Sequence, residues 1–161
     1  MKKIIVFLIL ISFIECRYLN ISPVDGIRTK DVKTKPAESR LVGIWNIDNF
    51  SYETLKDYGY EDKMVKLELK EDQSFDAINF PDIILDYSFE PTLTYTNSTG
   101  KWEIIKNQNN KWVLNLKFDE NEVLHQGLNT SYDLYLTNGN LIIWTFIGDP
   151  DSGERFLFEK E

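Results

Sequence analysis

The feature that most constrains the fold is a strict two-residue alternation near the C-terminus. Within Lys111–Phe118, one face carries Trp112, Leu114, Leu116 and Phe118, and the other carries Val113, Asn115 and Lys117. This period of two is the period of a half-buried β-strand. Similar segments follow one another through residues 100–118 and 131–161, and polar turn residues separate them. The region therefore predicts five sequential strands joined as antiparallel hairpins.

The hairpin over residues 132–146 can pair in two registers. A two-residue Asn138–Gly139 turn pairs Leu136 with Leu141 and puts Trp144 on the polar side. A three-residue loop that begins one residue earlier pairs Tyr132 with Trp144 and gathers six large apolar side chains on one face. A slip of one residue exchanges the two faces of a strand, so burial should decide the register. On that argument we predict the three-residue loop.

The N-terminus has the pattern of an export signal. Two lysines, Lys2 and Lys3, precede an apolar run from Ile4 to Ile14. The run is too short to span a bilayer and has the length of a signal-peptide hydrophobic region. A buried N-terminal strand fits less well, because both of its faces would be apolar. We therefore predict that residues 1–15 are a signal peptide.

Cys16 directly follows this run and is the only cysteine of the chain. Its position resembles that of the lipidation cysteine of bacterial lipoproteins, although Glu15 stands where that pattern has a small residue. The resemblance implies a protein held on a membrane of the bacterial cell envelope by its acyl chains. The alternative is ordinary cleavage near Cys16, which would release a soluble secreted protein.

Composition narrows the class of protein and of partner. The 161 residues are 42% hydrophobic and 14% aromatic, which suits one domain with a substantial core. The formal net charge is −8 and no basic stripe is present, so nucleic acid is not an expected partner. Residues 16–40 mix charges with Pro23, Gly26 and Pro36. We interpret them as a flexible tether between the anchor and a domain over residues 41–161.

The first half of that domain also consists of strands. A strand containing Gly43 and Trp45 comes first, followed by a long connection over residues 48–63 in which Ser51 could cap one helical turn. Met64–Lys70 and Ser74–Phe80 are the next two strands, and residues 82–99 hold one or two short ones. Eight to ten strands with almost no helix indicate an all-β antiparallel barrel or sandwich.

This arrangement resembles the lipocalin-like (calycin) domains of bacterial envelope proteins. The shared features are Gly43-x-Trp45 on the first strand, the long first connection and the up-and-down hairpins. The resemblance implies an antiparallel up-and-down β-barrel that binds a small apolar or amphipathic ligand. It also implies that Trp45 closes the base of the barrel under Arg155, which is the only arginine after Arg40.

Residues with catalytic or metal-binding chemistry do not form a recognisable site in the sequence. His125 is the only histidine and lies in a charged, glycine-containing loop. The carboxylates of residues 148–154 lack the spacing of a calcium-binding EF-hand. We therefore expect no enzyme activity, no metal and no cofactor.

The aromatic residues are the candidate ligand-binding set. We expect Phe50, Tyr52 and Tyr58 at the mouth of the barrel and Trp102, Trp112 and Trp144 inside it. The long connection that carries the first three should fold back over the mouth as a lid. The alternative is a filled barrel, because eight strands enclose just enough room either to pack side chains or to hold one small ligand. A filled barrel would instead present a loop to a protein partner, as an inhibitor or adhesin does.

Overall fold

The structure, a computed structural model, describes residues 27–85, 91–120, 128–148 and 153–161. The strands are β1 (Lys30–Asp31), β2 (Gly43–Ile47), β3 (Lys66–Leu69), β4 (Ser74–Pro81), β5 (Tyr95–Lys106), β6 (Trp112–Phe118), β7 (Leu128–Thr137), β8 (Asn140–Phe146) and β9 (Arg155–Lys160). The helices are a 3₁₀ turn (Glu38–Arg40), α1 (Asn49–Tyr58) and α2 (Asp82–Leu85). Within these ranges, no helix has the length and apolar character needed to cross a membrane.

Strands β2 to β9 form a closed antiparallel barrel. Each strand pairs with the next along the chain, and β9 pairs back with β2 through the partners Trp45 and Lys160. The predicted all-β, up-and-down barrel is therefore confirmed, with eight strands in its wall. Closure leaves the wall without a free sheet edge. At one end, the turn end, short turns join β3 to β4, β5 to β6 and β7 to β8. At the other, the helix end, lie α1 and α2.

Residues 27–40 lie against the barrel. Lys30 and Asp31 pair with Leu136 and Tyr135 of β7, and Pro36 is buried. Lys111 Nζ lies 3.7 Å from the Asp31 carboxylate. Two residues of the segment interpreted as a tether, Lys30 and Asp31, therefore pair with the wall of the barrel. Val32 and Ile27 of this segment also pack against apolar clusters of the barrel.

The interior of the barrel is filled by side chains. A side chain that borders a void large enough for water keeps accessible area facing that void. Trp45, Phe75, Leu114, Leu116 and Phe156 keep none, each being 0% exposed. The alternation predicted for β6 is confirmed, because Leu114, Leu116 and Phe118 belong to this core. The interior thus leaves no water-sized void beside these five side chains.

The β7–β8 hairpin has the register that we did not predict. Leu136 pairs with Leu141, and Trp144 lies opposite Asp133. Asn138 and Gly139 both have positive φ, 50° and 87°, as a two-residue type I′ turn requires. The prediction was wrong because it treated the outer face as solvent. Trp144 packs there against Ile142 and Leu157 in a second apolar cluster outside the wall.

A β-bulge interrupts the pairing of β4 with β5. Ala77 lies opposite Ser98 but Phe80 lies opposite Thr96, so two residues of β4 face one residue of β5. Asn79 takes up the extra residue with φ at 51°. The bulge restores the inward phase of the strand, because Phe80 is fully buried and stacks on Phe158 at 5.6 Å between ring centroids. It also leaves Ile78 on the outer surface.

Candidate functional site

The three tryptophans expected inside the barrel lie in three different places. Trp102 is in the core, and its Nε1 donates to the Lys70 carbonyl oxygen at 3.1 Å. Trp112 is half-buried at the turn end, with Lys106 Nζ 5.1 Å from its ring centroid. Trp144 lies outside the wall, so its assignment to the interior was wrong. The structure does not bring the three together around a common space.

The long first connection forms helix α1 and covers the helix end of the barrel. Asp48, and not Ser51 as predicted, caps the helix by accepting the Ser51 backbone N–H at 2.9 Å. Ser51 Oγ in turn accepts the backbone N–H of Leu157 on β9 at 2.8 Å. Leu55 is buried in the barrel core, and Gly59 ends the helix with φ at 96°. The connection therefore folds back on the barrel, but as a full helix and not as one turn.

Tyrosine hydroxyls fix this helix and the segment after it. Tyr58 donates to Glu154 at 2.5 Å, Tyr52 donates to Asp62, and Tyr60 donates to Asp82. Burial, together with the hydrogen bond to Glu154, raises the pKa of Tyr58 to about 12. Burial likewise raises the pKa of Tyr60, and the bond to Asp82 adds to the effect. The phenols therefore stay protonated and act as donors, so the predicted mouth residues serve to hold α1 in place.

Arg155 is buried outside the wall, between α1 and β8. It is 1% exposed, and its Nη2 lies 2.7 Å from Asp48 Oδ2. The guanidinium carbon lies 4.5 Å from the ring centroid of Phe50 and 5.1 Å from that of Trp144. Nε and Nη1 have no hydrogen-bond partner among the described residues. Among the described residues, Asp48 is the carboxylate that pairs with this buried charge.

The predicted stack of Arg155 on Trp45 was wrong. Trp45 pairs with Lys160, and Lys160 Nζ is the cation near its ring, 6.0 Å from the centroid. Arg155 lies five residues away along β9, which is about 17 Å of strand. It also points outward, whereas Trp45 points into the core. Trp45 does lie near the turn end, where its Nε1 donates to the Leu41 carbonyl oxygen at 2.7 Å.

In two surface clefts, several of the polar side chains that line the cleft already have hydrogen-bond partners within the chain. The cleft at the turn end has a volume of about 600 Å³ and is lined by charged and amide groups. Among them, Lys160 Nζ donates to the Arg40 carbonyl oxygen at 3.1 Å, and Arg40 Nη2 donates to Gly139 at 3.2 Å. A smaller cleft of about 380 Å³ lies beside α1, where Asp48 and Tyr52 already have partners.

The third cleft lies over the β-bulge and exposes apolar surface. We call it the bulge groove, and its volume is about 640 Å³. Its lining consists of Asp76, Ala77, Ile78, Asn97, Ser98, Thr99, Asp119 and Glu120. Ile78 is 37% exposed, and nearby Met64 is 71% exposed. Asn79 ties the two together, because its Nδ2 donates to the Met64 carbonyl oxygen at 2.9 Å.

The charges of the bulge groove are of one sign. Asp76, Asp119 and Glu120 contribute carboxylates, and its lining contains neither lysine nor arginine. Lys70 reaches Asp76 from outside the lining, with Nζ 2.8 Å from Oδ2. Asp119 accepts a hydrogen bond from the Thr99 hydroxyl at 2.7 Å, and both Asp119 and Glu120 are exposed. The groove thus combines an apolar floor with an acidic rim.

Sequence reasoning missed this groove, although a signal was present. The inward residues Phe75 and Ala77 are followed by Phe80, which breaks the two-residue period. Such a break within a strand is the mark of a bulge, and bulges are common beside functional sites.

Several candidate residues lie outside the described residues. These are the lipidation candidate Cys16, the histidine His125, and residues 149–152 of the acidic loop. Across the ranges that the structure describes, no group of three or more histidine, cysteine, aspartate or glutamate side chains could hold a metal ion.

No protein-family model matches the chain, and no match was found among curated proteins or solved structures.

Proposed function

We propose that the protein is an exported, non-enzymatic binding protein of the bacterial cell envelope that presents its barrel to a protein partner. The observation that carries this proposal is the packed interior. Side chains such as Trp45, Leu114 and Phe156 have no accessible area left for a ligand to contact. A small apolar ligand inside the barrel, as the lipocalin-like resemblance implies, would have to displace these side chains.

The binding surface in this proposal is the bulge groove together with Met64. Exposed apolar side chains beside one another are a common mark of interaction sites. Ile78 is such a side chain, and Met64, which is 71% exposed, lies two residues before Lys66, the partner of Ile78 on β3. The closed wall holds this surface rigidly, which lowers the entropy cost of binding a partner.

The proposed location follows from the N-terminal pattern. The lysines, the apolar run and Cys16 support export and acylation. Only residues 17–26 separate that cysteine from the described part of the fold at Ile27. A fully extended segment of this length spans at most about 40 Å. The barrel would therefore stay close to the membrane that holds it.

Site-specific photo-cross-linking in the native host tests the proposed surface. A photoreactive phenylalanine analogue replaces Ile78 or Met64 in the full chain, and the control positions are Asp57 on α1 and Asn138 at the turn end. We expect discrete protein adducts of the same mass from positions 64 and 78 and none from the controls. Absence of adducts at 64 and 78, or equal adducts at all four positions, would overturn the proposal.

A further inference from the structure

We infer that the bulge groove binds an extended segment of its partner in which a lysine or arginine stands next to an apolar side chain. This inference rests on the proposed function and specifies the chemistry of the partner. Three features of the groove carry it: the form of its floor, the sign of its charges and the position of its carboxylates.

The floor favours an apolar side chain of moderate size. Ile78 is the exposed apolar side chain of the groove, with 37% of its surface accessible, whereas the adjoining Ala77 is buried in the core. An apolar residue of the partner would cover surface that now faces water.

The rim favours a cation. Its lining residues contribute three carboxylates and no basic group, and the chain as a whole carries a charge of −8. A field of one sign steers an oppositely charged partner and repels an acidic one. Because Lys70 already pairs with Asp76, the remaining attraction comes mainly from Asp119 and Glu120.

Strand β5 separates Ile78 on β4 from Asp119 after β6, and two strand spacings of about 10 Å in total favour a long basic side chain over a small cation. Lysine and arginine place an alkyl stem on apolar surface while the charged group stays in water. Here the stem would lie along Ile78 and the charged group would reach Asp119 or Glu120. Asn97 and Thr99 are the exposed β5 residues between them; Asn97 Oδ1 accepts the Asn79 backbone N–H at 2.7 Å and Thr99 donates to Asp119. The Asn97 amide nitrogen is thus the group that can donate to the backbone of an extended segment.

Peptide titration of the ¹⁵N-labelled mature protein tests this inference by NMR. The probes are three eight-residue peptides that alternate lysine with leucine, lysine with serine, and glutamate with leucine. We expect saturable amide shifts from the lysine–leucine peptide, concentrated at residues 76–78, 97–99 and 119–120. The lysine–serine peptide should bind at least about fivefold more weakly, because it lacks the apolar groups. The glutamate–leucine peptide should not bind.

Matched variants separate the apolar from the charged contribution. Ile78→Ser should weaken the lysine–leucine peptide by at least about fivefold. Asp119→Asn with Glu120→Gln should weaken it about threefold to tenfold at low salt and reduce its salt dependence. Asp57→Asn, which removes an equally exposed carboxylate from α1, should have no effect.

Shifts spread evenly over the acidic surface, or equal losses from Asp57→Asn and the groove variants, would overturn the inference. The cross-linking experiment tests the proposed function independently of this inference. Adducts at positions 64 and 78 without selective peptide binding would keep the proposed function and remove the basic, apolar partner segment. Absence of both would remove both.

Discussion

Substitution of Asp48 by asparagine should destabilise the protein far more than the loss of a surface charge would. Arg155 is 1% exposed and Asp48 is 14% exposed, so their ion pair is buried. Removing one partner of such a pair costs about 3–5 kcal/mol, because the other charge stays buried without compensation. Asparagine caps helices about as well as aspartate, so the cap to Ser51 should survive. Urea denaturation of the wild type and Asp48→Asn measures the difference, provided that the denaturant slope is unchanged.

A second substitution gives this prediction its sharpest test. Arg155→Met removes the buried charge and keeps an unbranched side chain between Phe50 and Trp144. Combining it with Asp48→Asn should therefore recover part of the lost stability, although each single change destabilises. Asp57→Asn, on the exposed side of α1, should change the free energy of unfolding by less than about 0.5 kcal/mol. If Asp48→Asn costs under about 1 kcal/mol, or if the two substitutions simply add, the reasoning about a buried cation is refuted.

Three further predictions concern other parts of the molecule. Gly100→Ala should lower the free energy of unfolding by more than about 3 kcal/mol, because the added Cβ would lie 2.1 Å from the Lys117 carbonyl oxygen. Gly139→Ala meets no atom within 4 Å and should cost only about 1–2 kcal/mol, for its left-handed backbone, and urea denaturation of both variants measures the difference. Because the pKa of Tyr58 is raised to about 12 in the folded state, the stability from its bond to Glu154 is present below pH 10 and declines from pH 10 to 12. The Tyr58→Phe variant should therefore lose less stability than the wild type over that range, and an equal loss in both proteins would contradict the bond. Mass spectrometry of protein from the native host should find Cys16 as an acylated N-terminus, and an unmodified N-terminus beyond Cys16 would end the lipoprotein hypothesis.

The sequence predicted the wall of the barrel well because each strand carries its own period. Alternation in β6 placed Leu114 and Leu116 inside. A period of two depends only on neighbours in the sequence, so it can be read without knowing the fold. Burial on the outer surface of the wall cannot be predicted from such a period. Arg155 is buried outside the wall against Phe50 of α1, and Ile27 packs against the outer cluster that contains Trp144. No local pattern signals either contact.

The candidate site was harder to predict than the fold for a related reason. Tyr52 and Tyr58 have the composition of a binding mouth, but their hydroxyls pair with Asp62 and Glu154 of this same chain. Aromatic residues in a long connection indicate that the connection is buried, but they do not indicate which part of the molecule it is buried against. The bulge groove depends on the phase break before Phe80 and on Asp119, which follows β6 almost forty residues later. The pairing of β4 with β5 and of β5 with β6 brings them together.

The most direct test of a filled barrel with an external binding surface is methyl NMR of the mature protein with an apolar ligand. Dodecanoic acid and a lysophospholipid are titrated below their critical micelle concentrations, and the methyl groups of Leu67, Leu116 and Ile143 report on the interior, where each residue is 0% exposed. We predict no saturable shift at these methyls, while Met64 and Ile78 respond to the lysine–leucine peptide. A saturable one-to-one shift of the interior methyls would contradict the account and return the function to a ligand held inside the barrel.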